Sequence, residues 1–205
     1  MRYGIRGTYG LMKRLKRGIR IKIFPTFKCS LKCDYCGNNL GRDLHPSENN
    51  LKTILDLLGW INLIDNFPVK IREVVISGGE PTIWPDFPEL VNYLLSQGYF
   101  VTVFTNLTNK NLLNVDKSRR LRVYATFHGR HYDKNQFLKN YDVVSSVHRV
   151  DVNEIAQQQL PFSKVDPWGC DYEQSKTINK NYFWIAPDGS IHPHCNGVMV
   201  HCRTT

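Results

Sequence analysis

Apolar residues recur along this chain with two alternating periods. Ile21 and Ile23 alternate with Arg20 and Lys22, and together with Phe27 they mark a first strand. Leu51, Ile54, Leu55, Leu58 and Ile61 then fall three and four apart through residues 50 to 64, the spacing of a helix with one apolar stripe. Val74-Val75-Ile76 is a short unbroken apolar run, as expected for a strand buried on both faces, and it stops at Ser77-Gly78-Gly79-Glu80-Pro81. Phe87, Leu90, Val91, Leu94 and Leu95 predict a second helix, with Asp86 placed to cap its start and Gly98 to end it. Val101, Val103 and Phe104 predict a third strand ending at Thr105-Asn106, followed by a poorly patterned segment over 108–118. Leu121, Val123 and Ala125 predict a fourth, ending at Thr126-Phe127-His128-Gly129. A short helix around Phe137 and Leu138, a fifth strand within Val143 to Val150 and a faint sixth from Leu160 to Val165 complete the pattern.

Strands alternating with helices at this spacing predict a parallel α/β sheet with right-handed crossovers. In such sheets ligands bind at the carboxyl ends of the strands, so the polar loops that follow each strand gather the candidate chemistry on one edge. A length of 205 residues with 41% hydrophobic content suffices for one main domain with its own core. The expected division is a basic arm over 1–19, a core over 20–165 and a C-terminal extension over 166–205. No apolar run of about 18 residues occurs, so no membrane span is expected.

Charge adds an asymmetry. The net charge is +9, and the first 22 residues hold Arg2, Arg6, Lys13, Arg14, Lys16, Arg17, Arg20 and Lys22 without one acid. Such an arm attracts an anionic partner, whether nucleic acid, acidic peptide or phosphorylated substrate, or is a solvated surface segment. Leu11, Met12, Leu15 and Ile19 share one helical face, so a short helix there is expected. The arm also resembles an organellar transit peptide, without the usual serine richness.

The six cysteines change the picture most. No signal-peptide pattern precedes them, and three stand at C-x3-C-x2-C as Cys29, Cys33 and Cys36, too tight for loop-stapling disulfides. Metal binding in the reducing cytoplasm is the better reading. Three thiolates leave a coordination position open, which suits an iron-sulfur cluster with one free iron; a zinc ion completed by His45 is the rival that spacing alone leaves standing. The Gly78-Gly79-Glu80-Pro81 turn offers bare backbone and one carboxylate at a strand end, which fits the ammonium of an amino acid.

Cys29-x3-Cys33-x2-Cys36 after the first strand, Tyr35 just before the third cysteine, and Gly78 to Pro81 after the second strand together resemble the radical S-adenosylmethionine (SAM) superfamily over roughly residues 20 to 150. The resemblance implies a partial (β/α)6 TIM-like barrel holding a [4Fe-4S] cluster on Cys29, Cys33 and Cys36, with SAM on the unique iron. It implies further that Tyr35 lies near the adenine, that Gly78, Gly79, Glu80 and Pro81 meet the SAM amino group, and that Thr105 and Asn106 meet its ribose or methionine part. Thr126 and His128 are candidates for SAM or substrate contacts; the plainer alternative for His128 is a strand-end histidine bonded to backbone. An electron donor such as flavodoxin or ferredoxin is implied. The fuller pattern Gly-x-Ile-x-Gly-x-x-Glu is missing from the fifth strand, where Val147-His148-Arg149-Val150-Asp151 stands instead.

Pro187-Asp188-Gly189 between two apolar runs predicts a β-hairpin in the C-terminal extension. This resembles the SPASM and twitch regions, where a hairpin presents cysteines to an auxiliary [4Fe-4S] cluster. Cys170, Cys195 and Cys202 are available here, completed by a histidine such as His192, His194 or His201, by a substrate atom, or serving zinc, or standing as three free thiols. The leading expectation is radical modification of a peptide or protein. Chemistry on a nucleotide or purine-like molecule and activation of a glycyl-radical enzyme are the enzymatic alternatives, and a zinc-stabilised nucleic-acid-binding protein is the non-enzymatic one.

Overall fold

The computed structural model of the chain describes residues 18–33, 36, 54–154 and 182–193. Its strands are β1 (Ile19–Ile23), β2 (Ile71–Ile76), β3 (Phe100–Thr105), β4 (Leu121–Phe127), β5 (Val150–Glu154), β6 (Tyr182–Ile185) and β7 (Ile191–Pro193). The helices are α1 (Leu57–Asp65), α2 (Phe87–Ser96) and α3 (Lys134–Ser145). All seven strands join one sheet in the order β5-β4-β3-β2-β1-β6-β7. Every neighbouring pair is parallel except β6 and β7, as the strand–helix alternation predicts for the core. The expectations for the basic arm, Tyr35, His45, the sixth strand over 160–165 and Cys170, Cys195 and Cys202 lie outside the described residues.

Successive side chains of a strand point to opposite faces, so register decides what each face carries. Ile21 aligns with Val74, Val74 with Val101 and Val101 with Leu121, which stacks a buried aliphatic row across four strands. Two residues further on, Ile23, Ile76, Val103 and Val123 form a second such row. Trp60 and Ile64 of α1, Phe87, Leu90, Val91 and Leu94 of α2, and Phe137 and Val144 of α3 complete the same core. Each such large side chain withdrawn from water stabilises the fold by about 1.5–3 kcal/mol.

The other face is polar and aromatic. Arg20 pairs with Glu73 at 2.8 Å, and the Thr102 hydroxyl donates to the same carboxylate at 3.0 Å. The Lys22 ammonium lies 5.1 Å from the Phe24 ring and 5.9 Å from the Phe104 ring, and Phe104 stacks on Tyr124 at 5.2 Å. This explains why β1 and β4 alternate in sequence; in β2 Val75 is buried on this face too, so Val74 to Ile76 read as an apolar run.

Helix ends follow local chemistry. Asp56 caps α1 by accepting from Gly59 N at 2.8 Å, and Asp133 caps α3 by accepting from Gln136 N at 2.7 Å. Asp86 occupies the position expected of it before α2, yet its side chain makes no capping bond. Gly98 ends that segment with φ +84°, the left-handed stop that glycine favours.

Several boundaries differ from expectation. The helix α1 begins at Leu57, not at residue 50, because Asp56 caps it there; Ile54 and Leu55 precede it, and its buried face carries Trp60 and Ile64 while Leu58 is exposed. Phe27 lies beyond β1, which ends at Ile23. Val143 and Val144 belong to α3, because Asp133 starts that helix and Phe137, Asn140 and Val144 form its buried face at helical spacing; β5 begins only at Val150. Ile19 opens β1 opposite Ile71 and so leaves the helical face assigned to it with Leu11 and Leu15. The Pro-Asp-Gly hairpin forms, with Gly189 at φ +80°. It extends the main sheet: β6 runs beside β1, Phe24 N donates to the Ile185 carbonyl at 2.9 Å, and Leu55 N to the Pro187 carbonyl at 2.8 Å.

Candidate active site

The loops after β1, β2, β3 and β4 meet at the carboxyl end of the sheet. The turn after β2 and the cysteine loop after β1 continue the pairing of their strands. Ser77 N donates to the Ile23 carbonyl at 3.0 Å, Gly79 N to Thr26 at 3.0 Å and Glu80 N to Lys28 at 2.8 Å. Such contact requires two glycines. Gly78 has φ +131° and a Cβ there would meet the Thr26 carbonyl oxygen, while a Cβ on Gly79 would strike the carbonyl oxygens of Phe27 and Lys28.

Within the loop, Cys33 is buried and Cys29 and Cys36 are half-buried, and none of the three is in a disulfide. Cys36 N donates to the Cys33 carbonyl at 3.1 Å, which tightens the C-x2-C turn. The Cys29 sulfur accepts from Leu31 N at 3.4 Å and from the Asn106 amide at 3.5 Å. Burial pushes the Cys29 thiol up to about 11; the Leu31 N–H opposes this, and the charges of Glu80, Cys36 and Cys33 add to it. His128 Nδ1 lies 3.6 Å from the Cys33 sulfur, and burial, with His131 nearby, lowers the imidazole to about 4. The expected residue His128 thus stands at a cysteine. Among the described residues, no three His, Cys, Asp or Glu side chains close around a single metal ion.

Glu80 is a wholly buried polar group of the site, with 1% of its surface exposed. Its Oε1 accepts from Thr82 N at 3.1 Å, from the Thr82 hydroxyl at 2.5 Å and from the Thr105 hydroxyl at 2.7 Å, and its Oε2 accepts from Asn106 N at 2.6 Å. Burial raises the carboxyl above its ordinary range, and the bonds from Asn106, Thr82 and Thr105 pull it back. Pro81 opens a short 3-10 helix over Pro81–Ile83 that Glu80 caps. Glu80 and Thr105, both expected at the SAM site, are therefore bonded to each other. Gly78 and Gly79 present backbone. Thr126 lies half-buried on β4, opposite Asn153 of β5.

Several supporting residues carry no signal in the sequence. Thr108 donates through both its N–H and its hydroxyl to Asn106 Oδ1, and Ser30 of the cysteine loop lies 2.5 Å from the Thr108 hydroxyl. Asn140 and Tyr132 both donate to the Leu107 carbonyl, at 2.7 and 2.9 Å. Their partners stand tens of residues away, beyond the reach of any local pattern; the Thr-x-x-Thr spacing of Thr105 and Thr108, with Asn106 between them, is the one local hint of side-chain-to-backbone turns.

The donors suit a soft metal centre: three thiols without a carboxylate among them, with the Leu31 and Asn106 N–H groups directed at the Cys29 sulfur.

The sequence model of the Radical SAM superfamily matches residues 23–144. An S-adenosylmethionine-dependent nucleotide dehydratase of Selenomonas ruminantium is 30% identical over 89 residues, 42% of this chain and 29% of that protein. A PqqA peptide cyclase of Methylorubrum populi is 29% identical over 92 residues, 44% of this chain and 22% of that protein. The match therefore spans less than a third of either curated relative. Among solved structures, Streptococcus suis SuiB bound to precursor peptide SuiA superposes with a TM-score of 0.55 at 17% identity, over 75% of this chain and 37% of that one. That likeness is one of fold.

Proposed function

The chain belongs to the radical SAM superfamily, and from that premise we propose that it is an enzyme that cleaves SAM reductively and modifies a peptide or protein. The superfamily uses a [4Fe-4S] cluster and SAM, and Cys29, Cys33 and Cys36 are the residues that would hold the cluster here. When bound, the cluster would supply the electron for reductive cleavage of SAM, and SAM the radical equivalent that takes hydrogen from the substrate.

The observation that carries this reading is the convergence of four strand-end loops, which brings Cys29, Cys33, Gly79, Glu80, Asn106 and His128 together on one edge of the sheet. The chain's own work is to place and shelter. Gly78 and Gly79 let the turn after β2 lie directly on the cysteine loop, and Pro81 fixes its exit, leaving that turn's backbone to meet the SAM ammonium. Glu80, wholly buried, stiffens the turn from beneath. Tyr35 would contribute at the adenine and Thr126 toward the substrate. An electron donor such as flavodoxin or ferredoxin would deliver the electron.

The peptide reading rests on the PqqA peptide cyclase relative and on the net charge of +9, which favours an acidic segment. A second reading, a nucleotide substrate, is favoured by the nucleotide dehydratase relative, whose match is of similar length and identity.

Anaerobic reconstitution with iron and sulfide, followed by SAM and dithionite, should give a brown protein that forms 5′-deoxyadenosine, measured by chromatography with mass detection. Cys29→Ala, Cys33→Ala and Cys36→Ala should each abolish that product. A reconstituted protein that holds no iron would overturn the proposal. Adding either an acidic peptide pool or a nucleotide pool, with mass spectrometry of what is consumed, chooses between the substrates.

A further inference from the structure

We infer that Asn106 is a positioning residue for the metal centre, one whose side-chain amide holds a hydrogen bond on the Cys29 sulfur and thereby raises the reduction potential of the cluster. The inference rests on the reading that Cys29 is a cluster ligand.

The direction of the Asn106 amide is set by its neighbours. Its Oδ1 accepts from the Thr108 backbone N–H at 2.9 Å and from the Thr108 hydroxyl at 2.7 Å. A backbone N–H can only donate, so the end facing Thr108 must be the carbonyl oxygen. The NH2 end is left to face Cys29, with Nδ2 3.5 Å from the sulfur. The site thus has one orientation of the amide built into it.

The backbone beneath that amide is fixed as firmly. Asn106 N donates to Glu80 Oε2 at 2.6 Å, and the Thr105 hydroxyl donates to Glu80 Oε1. Leu107 takes φ +56°, a left-handed conformation that is costly for a branched apolar residue, and the described residues hold it there from both sides. Its N–H donates to Thr105 Oγ1 at 3.0 Å, and its carbonyl accepts from Tyr132 and Asn140. Leu107 is itself wholly buried. Backbone strain maintained by this many partners serves to aim the residue beside it, and Asn106 is 3% exposed.

One further link closes the arrangement. Ser30, the residue after Cys29, lies 2.5 Å from the Thr108 hydroxyl, so the cysteine loop and the loop after β3 are tied both at the sulfur and beside it. Glu80 therefore reaches the metal ligand through Asn106, which couples the turn after β2 to the electron-accepting centre. A hydrogen bond on a ligand sulfur draws off electron density and stabilises the reduced cluster more than the oxidised one. The bond is present in both oxidation states, so only the difference in its strength between them moves the potential; a difference at the lower end of what a bond to an ionised group is worth is about a factor of ten.

The test is an EPR-monitored redox titration of the full chain, anaerobically reconstituted, with iron counted in the same samples. Asn106→Leu keeps the bulk and removes the donor. At the poise where half of the wild type is reduced, the ratio of reduced to oxidised cluster should fall about tenfold, a shift of about 59 mV to lower potential for a one-electron couple. Thr108→Val keeps Asn106 but loosens its amide by deleting the hydroxyl bond, and should shift the potential in the same direction by less. A midpoint unchanged in Asn106→Leu with full iron content overturns the inference. Should Asn106→Leu fail to hold iron, an unmoved midpoint in Thr108→Val overturns it equally. Wild-type protein that binds no iron would instead sink the reading on which the inference rests.

Discussion

Replacing Glu80 by alanine leaves four donors in the interior without an acceptor. The Thr82 and Asn106 N–H groups are fixed by the backbone and cannot turn elsewhere, whereas the Thr82 and Thr105 hydroxyls can rotate. Each buried donor left without an acceptor costs about 1–3 kcal/mol, so the two fixed ones together cost about 2–6 kcal/mol, against about 5–15 kcal/mol for the whole stability of a domain. Glu80→Ala should therefore lose about 2–6 kcal/mol in urea unfolding followed by circular dichroism. Glu80→Gln is milder. One of its two terminal atoms becomes an NH2 that must face either the Asn106 or the Thr82 N–H, so one donor is lost, at about 1–3 kcal/mol. A Glu80→Ala variant within about 1 kcal/mol of wild type would refute the claim that this carboxylate joins the loops after β2 and β3.

The pH dependence has a definite sign. Burial raises the folded-state pKa of Glu80 above its unfolded value near 4.5. The folded state then holds the proton more tightly than the unfolded one, so this group's contribution is full below the unfolded pKa and is lost as pH rises through the folded one. The stability gap between wild type and Glu80→Gln should be wider in mild acid than at neutral pH. A gap that narrows on acidification would show that the four donors outweigh the burial.

Two other substitutions and treatments test the site from other sides. Gly79→Ala drives a methyl into the Phe27 and Lys28 carbonyls, which should destabilise the fold by about 1–3 kcal/mol and weaken SAM binding about tenfold or more in anaerobic equilibrium dialysis; wild-type affinity would speak against contact between that turn and the cofactor. In the metal-free protein, a Cys29 thiol pushed up to about 11 should alkylate with iodoacetamide at a rate that rises about tenfold per pH unit through pH 8 to 10, followed by peptide mass spectrometry; a rate already level at pH 8.5 would contradict its burial.

The outline of the fold was legible because periodicity reports burial. Ile21 and Ile23, Val74 to Ile76, and Leu121 to Ala125 announced their strands, and Gly98 announced a helix end. Val143 and Val144 misled because a β-branched pair reads as strand, while the Asp133 cap that commits them to α3 lies ten residues earlier. The site divides the same way. Cysteine spacing and the double glycine were visible as patterns, since each reflects a local geometric demand. The partnerships of Glu80 with Asn106, 26 residues on, and of Cys33 with His128, 95 residues on, depend on which strands lie side by side, and sequence order alone does not carry that. Thr105 and Asn106 stood out as strand-end polar residues, but what each side chain bonds to became clear only with β2 and β3 in register.

β1 is flanked by strands of different origin, and this decides what the C-terminal hairpin does for the site. On one side β2 pairs along β1 and passes Ser77 to the Ile23 carbonyl. On the other side β6 pairs with Arg20 to Ile23, and Phe24 N donates to Ile185. The backbone entering the cysteine loop is thus hydrogen-bonded on both sides up to its last regular residue. Past that point the loop's carbonyls turn to Gly79 and Glu80. The hairpin is held in its turn, with Leu55 N on the Pro187 carbonyl and the Leu55 and Leu63 side chains closing over Gly189. Fixing both flanks of β1 narrows the positions open to Cys29, five residues beyond Phe24, and a ligand loop with fewer positions to lose binds metal at a smaller entropic cost. If Cys29 holds the proposed cluster, the hairpin would support that centre in this way, through its backbone.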